Sequence, residues 1–331
     1  TGEYYKLNRQ RTPEEEVVLE VENLGLMGAF KDVSFKLHKG EILGFCGVVG
    51  SGKEDVCSVL IGDEKATRGT IKLNGVEQTL KVPYQALKKG ILSIPQERRE
   101  EGILAGRSIY ENISISNLKA VSSGPFISKQ KQINLAKKWI DELNIKCSSY
   151  AELCSQLSGG NAQKVVFGRL MASGAQVMIL NHPTRGVDIG AKEEIYQLIR
   201  DIADQGIAVI VLGDTLDESI GLSNRILVMK DGLITAEFDA SVGNKPEQVD
   251  IVLLVGFTLI DTKMFTSPVR FLSIANINTM LTNIAPLLLM VCGVTFVLLT
   301  GGIDLSIGAM ASVSSCLIVA TSSMGWWSLI F

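Results

Sequence analysis

"EILGFCGVVGSGKEDVCSVLIG", residues 41–62, decides the fold. The apolar run 42–46 reads as a strand, a glycine cluster follows, and "KEDVCSVLIG" then spaces its apolar residues as a helix does. Inside it, "GVVGSGKE", residues 47–54, fits G-x-x-x-x-G-K between a strand and a helix, the context that makes this common pattern specific. Gly47, Gly50 and Gly52, with Ser51 among them, let backbone N–H groups turn inward around an anion. The helix N-terminus adds partial positive charge and Lys53 adds a full one. An anion site of the phosphate-holding kind is predicted, against the plainer alternative of a glycine turn with an exposed lysine.

Working outward, "VVLEVE" and "VSFKL" precede this unit as strands. From about residue 108 to 172 the patterns are mostly helical, including "INLAKKWIDELNI" at 133–145. A strand at 177–180, a helix at 191–203 and strands at 207–212 and 225–229 follow, ending near Gly243. This alternation predicts an α/β domain with a largely parallel core and a helical insert, over residues 16–243. Residues 1–15, polar and unpatterned, read as a linker or tail.

The average composition, 20% charged with a net charge of -3, hides two chemistries. Up to Arg270 the chain is charge-rich, whereas from 271 to 331 the only charged residue is Asp304. The uncharged runs 271–303 and 305–331 both exceed the roughly 20 apolar residues that a bilayer helix needs. Transmembrane α-helices are therefore expected after the α/β domain, with "IAPLLLMVCGVTFVLLT" (284–300) as the clearest core; a buried hairpin of a soluble domain is the competing reading. "IVLLVGFTLI" (251–260) is too short to span and reads as interfacial. The chain starts at Thr1 and stops within the apolar "GWWSLIF", and reads as cut at both ends. Cys46, Cys57, Cys147, Cys154, Cys292 and Cys316 lack metal-ligand spacing and are expected as reduced thiols; no metal site of that kind and no nucleic-acid surface is indicated.

After Lys53, where a Ser or Thr hydroxyl would hold Mg²⁺, stand Glu54 and Asp55. Acids in a first helical turn suit the helix dipole, but a bound triphosphate is repelled. One carboxylate 4 Å from a phosphate charge costs about 4 kcal/mol at an effective dielectric of 20. Nucleotide binding is expected to be weakened and not abolished; ligation of the metal by Glu54 itself would soften the penalty.

"LSGGNAQKVVFGRLM" (157–171), upstream of "MILNHPTRG", resembles the signature of ABC transporter ATPases. Ser158, Gly159, Gly160 and Asn161, with Gln163 just behind them, form a helix N-terminus able to offer N–H groups and a hydroxyl to a terminal phosphate. In that family the phosphate belongs to an opposing domain, so the resemblance implies two nucleotide domains closing on ATP. "GEILGFCGVVGSGK", "IPQERREEGI" (94–103), "LSGGNAQKVV" and "PTRGVDIGAK" are similar to the second ATP-binding domain of ribose-type monosaccharide importers. On that resemblance 1–15 is the linker from a missing upstream domain. "LLTGGIDLSIGAM" (298–310) resembles a motif early in the permease of such importers. Residues 271–331 then read as a partial transmembrane permease region, joined through a junction at 244–270 that matches neither part. Asp304 is its candidate functional acid, or else a loop acid at headgroup level.

The resemblance implies four catalytic positions: a loop hydroxyl and a strand-end Asp for the metal, a carboxylate for the attacking water, and a histidine sensing the terminal phosphate. Here they hold Glu54, Asn181, His182 and Asp214, and the chain's only histidines are His38 and His182. Asn181 still carries a carbonyl oxygen, and a neutral His182 can accept a proton, or else is a plain polar strand-end residue. By resemblance Gln96 joins the site to the transmembrane partner and Asp188 contacts the opposing domain; Phe30 either stacks on an adenine or sits in the core. The implied whole is an ATP-binding domain at the cytoplasmic face of the plasma membrane, with Mg²⁺ weak or absent. Its implied partners are a second ATP-binding domain, permease subunits and a sugar-binding protein. It is an ABC-type monosaccharide-transporting ATPase by resemblance only, because its own metal and water-activating groups are replaced. A non-transporting membrane-anchored nucleotide-binding regulator and a decayed or artificially joined fragment are the rival readings.

Overall fold

The computed structural model describes residues 13–240; the expected linker up to 12, the junction 244–270, the membrane region 271–331 and Asp304 lie outside them. Among the described residues no helix is long and apolar enough to cross a membrane.

The chain opens with β1 (Val17–Leu26), β2 (Phe30–His38), β3 (Ile42–Cys46) and α1 (Lys53–Leu60). Next come β4 (Arg68–Leu73), β5 (Val76–Gln78), α2 (Pro83–Lys88), β6 (Ile91–Ile94), α3 (Ile109–Ser114), β7 (Ser122–Ser123), β8 (Phe126–Ile127) and α4 (Lys129–Glu142). It closes with α5 (Gly159–Ala172), β9 (Val177–Asn181), α6 (Ile189–Asp204), β10 (Ala208–Leu212), α7 (Leu216–Leu222), β11 (Arg225–Lys230) and β12 (Leu233–Asp239).

Two sheets carry the fold, one of six strands in the order β12-β11-β3-β10-β9-β6 and one of four in the order β2-β1-β4-β5. In the larger sheet β11, β3, β10, β9 and β6 run parallel, and β12 returns antiparallel along the edge. Its central strands are covered on both faces, which is why β10 reads as an unbroken apolar run, buried at every position. Met178, Leu180, Val209 and Val211 face one core with α3, α5 and α6; Val177, Ile179, Ala208 and Ile210 face another with α1 and the antiparallel sheet. Each such Val, Ile or Leu contributes about 1.5–3 kcal/mol by leaving water.

The smaller sheet is half-solvated, so β2 alternates between buried and exposed residues from Val33 to Leu37. Its outer face carries cross-strand ion pairs, with Glu20 between Lys36 (3.0 Å) and Lys72 (3.5 Å). Within the insert, expected as mostly helical, "SSGPFI" folds into the β7–β8 hairpin, turning at Gly124, whose φ of 63 suits glycine. The helix expected at 133–145 begins earlier and ends earlier, as α4, because Ser128 caps it by accepting from Lys131 N and Asn144 takes a φ of 47 beyond its end.

Candidate functional site

Strand order brings the predicted residues together. β3, β10, β9 and β6 are adjacent and parallel, so the loops leaving their C-terminal ends emerge at one edge, where ligands of open α/β sheets bind. Gly47 to Gly52 follow β3, Gly213 and Asp214 follow β10, His182 follows β9 and Gln96 follows β6. Leu212 pairs with Asn181 in register, and His182 N donates to Leu212 O at 2.9 Å, fastening the ends of β9 and β10.

The glycine loop is closely packed. Gly52, the N-cap of α1 at φ 92, would carry any Cβ 3.0 Å from Ala29 O and 3.1 Å from Phe30 Cβ, so a side chain there is strained and presses on its neighbours. Ser51 is buried, and its Oγ has no hydrogen-bond partner. The side chain of Lys53 is 7% exposed, and its ammonium closes on the carboxylate of Glu54 as an ion pair. Glu54 and Asp55 both lie in the first turn of α1, where the N-terminal field favours acids. The cation of the loop is thus neutralised from within the loop. Phe30 is 4% exposed and belongs to the core. A pocket of about 500 Å³ opens beside Phe30, and Met27, 88% exposed, Lys31 and Arg68 are among the residues that line it.

At the ends of β9 and β10 the two exchanged groups meet. His182 Nδ1 lies 2.9 Å from Asp214 Oδ1, in ion-pair range but off the line of a ring N–H hydrogen bond. His182 adopts φ 51, a left-handed conformation that few non-glycine residues take. Asn181 Oδ1 is buried without a partner.

Two residues not singled out from the sequence complete this corner. Thr184 Oγ1 donates to Glu218 Oε1 at 2.7 Å and lies 3.4 Å from Asp214 Oδ2, while Glu218 Oε2 accepts from Asp214 N at 2.9 Å. Burial pushes the Glu218 carboxyl above its ordinary value, and the neighbouring Asp214 charge pushes the same way; the hydrogen bonds from Thr184 and Asp214 N pull it back. The readable signal was T-x-x-E at 215–218, a capping pattern in which Thr215 accepts from Glu218 N at 3.2 Å while the Glu218 side chain turns one residue further back, to Asp214 N.

The signature stands on a different pair of elements. Ser158 caps α5, its Oγ accepting from Asn161 Nδ2 at 2.9 Å, and Asn161 Oδ1 accepts from Lys146 N at 2.8 Å. Asp188 caps α6, accepting from Ala191 N at 3.0 Å. A Cβ on Gly160 would meet Ala191 Cβ at 2.8 Å, so the two helix N-termini touch. Gln163 is buried behind them, whereas Ser158 and Asp188 are exposed. Among the described residues no hydrogen bond or ion pair joins Ser158–Asn161 to loop 47–52. The anion loop leads into α1 and the signature opens α5, on different elements of one domain.

Residues 30–185 match the ABC transporter family. The chain is 40% identical to the ribose import ATP-binding protein RbsA of Caldanaerobacter subterraneus subsp. tengcongensis, over 67% of this chain and 45% of that protein. To the ribose import ATP-binding protein RbsA of Bacillus subtilis it is 39% identical, over 70% of this chain and 47% of that protein. The chain thus spans about half the length of the curated relatives it matches. A solved nucleotide-free ATP-binding cassette from an ABC transporter superposes with a TM-score of 0.60 at 25% identity, covering 72% of this chain and 95% of that one.

Proposed function

Because this is an ABC-transporter ATP-binding domain closely related to ribose import ATP-binding proteins, we propose that it serves a monosaccharide importer as the half that completes a partner's ATP site. The observation that carries this reading is the contrast between its signature and its own pocket. The signature is intact, capped and exposed at Ser158 beside Asp188. The domain's own pocket holds Glu54, Asn181, His182 and Asp214 where metal and water would be managed.

Mg²⁺ does not suit that pocket. It is a hard cation that uses one or two carboxylates with substrate phosphates. Of the acids there, Glu54 is already paired with Lys53 and Asp214 faces His182, while Asn181 offers one neutral, buried oxygen. Without a metal the charge that develops on a transferring phosphoryl group lacks its main stabiliser, so this pocket turns over slowly. Nucleotide is held in loop 47–52 with weakened affinity, while the signature donors act on the phosphate bound by a second ATP-binding domain. The partners on this reading are that domain, permease subunits and a sugar-binding protein, with the ATP-binding domain on the cytoplasmic face of the plasma membrane. The fusion to a permease start at 271–331 and the role of Asp304 belong to the same proposal and rest on the resemblance of 298–310 alone.

The test is ATP turnover of the full chain alone, then with a partner domain that keeps its loop hydroxyl and strand-end acids, then with Ser158→Arg. Slow turnover alone, stimulation in the mixture and loss of stimulation in the variant are expected. Fast turnover by the chain alone, or a mixture indifferent to Ser158→Arg, defeats the reading.

A further inference from the structure

We propose that the pocket at loop 47–52 takes a nucleoside diphosphate in preference to a triphosphate and holds it without a divalent cation; this rests on the reading of that loop as a nucleotide site. A phosphate loop selects for charge by the cations it has to spare. Here Lys53 is matched by the carboxylate next to it in sequence, almost out of reach of water. Of the other cations, Arg185, in the loop after β9, is matched by Glu97 at 3.1 Å, and Arg68, beside the pocket, by Asp32 at 2.8 Å, whereas Lys31 lines that pocket.

The loop's remaining attraction is short-ranged and uncharged. It consists of N–H groups at the start of α1 and the buried, unpartnered hydroxyl of Ser51. Such donors satisfy the phosphates nearest the nucleoside. A third phosphate brings further negative charge toward Glu54 and Asp55 and gains no further ammonium from the loop itself. A divalent cation at Glu54 would compete with Lys53 for its carboxylate and break the pair that the two now form. The diphosphate avoids both costs.

Binding of ADP and of ATP to the full chain, each with Mg²⁺ and each with chelator, tests this by titration calorimetry. ADP is expected to bind about tenfold tighter than ATP, and chelation to change neither affinity by more than about twofold. Glu54→Ser frees Lys53 and is expected to raise ATP affinity about tenfold and make it depend on Mg²⁺, with ADP little changed. Tighter binding of ATP than of ADP by the unaltered chain in Mg²⁺, or collapse of ADP binding on chelation, overturns the proposal even if Glu54→Ser does not fold. Absence of binding for both nucleotides overturns the nucleotide reading of the loop itself, and with it this inference.

Discussion

Lys53 and Glu54, successive residues at the start of α1, hold each other as an ion pair with the lysine side chain almost fully buried. Successive residues on a helix point to different sides. They meet here at the helix start, where the orphan N–H groups also favour an anion. The pair places a carboxylate where a phosphate would otherwise find the ammonium alone.

Lys53→Met separates the two functions of that lysine. Removing the ammonium leaves Glu54 facing any phosphate unopposed, so nucleotide affinity is expected to fall about a hundredfold. Stability should change by only about 1 kcal/mol, because Glu54 reaches solvent and needs no buried partner. Titration calorimetry and urea unfolding of the same preparation check both halves. A stability loss much beyond that value would mean that the pair holds up the loop.

Gly160 and Ala191 mark where the signature helix leans on α6. Gly160→Ala forces two methyl groups into less space than they occupy and is expected to cost about 1–3 kcal/mol by pushing the helix starts apart. Because Ser158 and Asp188 cap those same helix ends, stimulation of a partner's turnover should fall more than stability does. Ala191→Gly in the Gly160→Ala background should restore both, and additivity of the two changes, measured as a double-mutant cycle, would argue against the contact.

Much of the site was legible because its signals are local. The strand–loop–helix unit, the cap at Ser158 and the apolar run of β9 all show within a few residues. The smaller sheet was only half read: β4 and β5 are short, and β4 puts Arg68 and Lys72 on the half-solvated face, so neither gives a long enough alternation. Glu218 escaped notice because its meaning lies in Thr184, 34 residues away, and in the adjacency of β9 and β10. The near approach of His182 to Asp214 has the same origin: each substitution reads singly as a loss, and only the sheet order reveals that an imidazole and a carboxylate still face each other.

Glu218 gives the domain a pH signature of definite sign. Its carboxyl is raised above the ordinary 4.5, chiefly by burial, so the folded chain keeps a proton that the unfolded chain gives up. Below 4.5 both states hold the proton and the group is neutral to stability; as pH rises toward and through the folded value, stability is lost. Glu218→Gln cannot ionise and keeps one acceptor for Thr184 or Asp214 N. Thermal unfolding of both proteins should show the variant weaker at acid pH, because it loses one acceptor, and closing the gap as pH is raised to neutrality. A gap that widens toward neutral pH would mean that the ionised carboxylate stabilises the corner.

Asn112 organises the helical insert and should be its most sensitive polar residue. It is fully buried; its Oδ1 accepts from Leu104 N and from Arg169 Nη2, both at 2.9 Å. Its Nδ2 lies 3.0 Å from Leu104 O, 3.3 Å from Arg107 O and 3.0 Å from Ser108 O, and its backbone oxygen accepts from Arg169 Nε at 2.9 Å. Asn112→Ala strands these groups out of water together with half of a guanidinium already depressed in pKa by burial, and is expected to cost about 3 kcal/mol. Arg169→Met removes the buried charge along with its partners' obligation to it, and Asn112 Oδ1 keeps Leu104 N. That loss should be smaller, about 1–2 kcal/mol, since deleting a charge from the interior also deletes its desolvation. Urea unfolding of the two variants ranks them. If Arg169→Met is the more damaging, the arginine carries the junction between α3 and α5, and the amide only follows it.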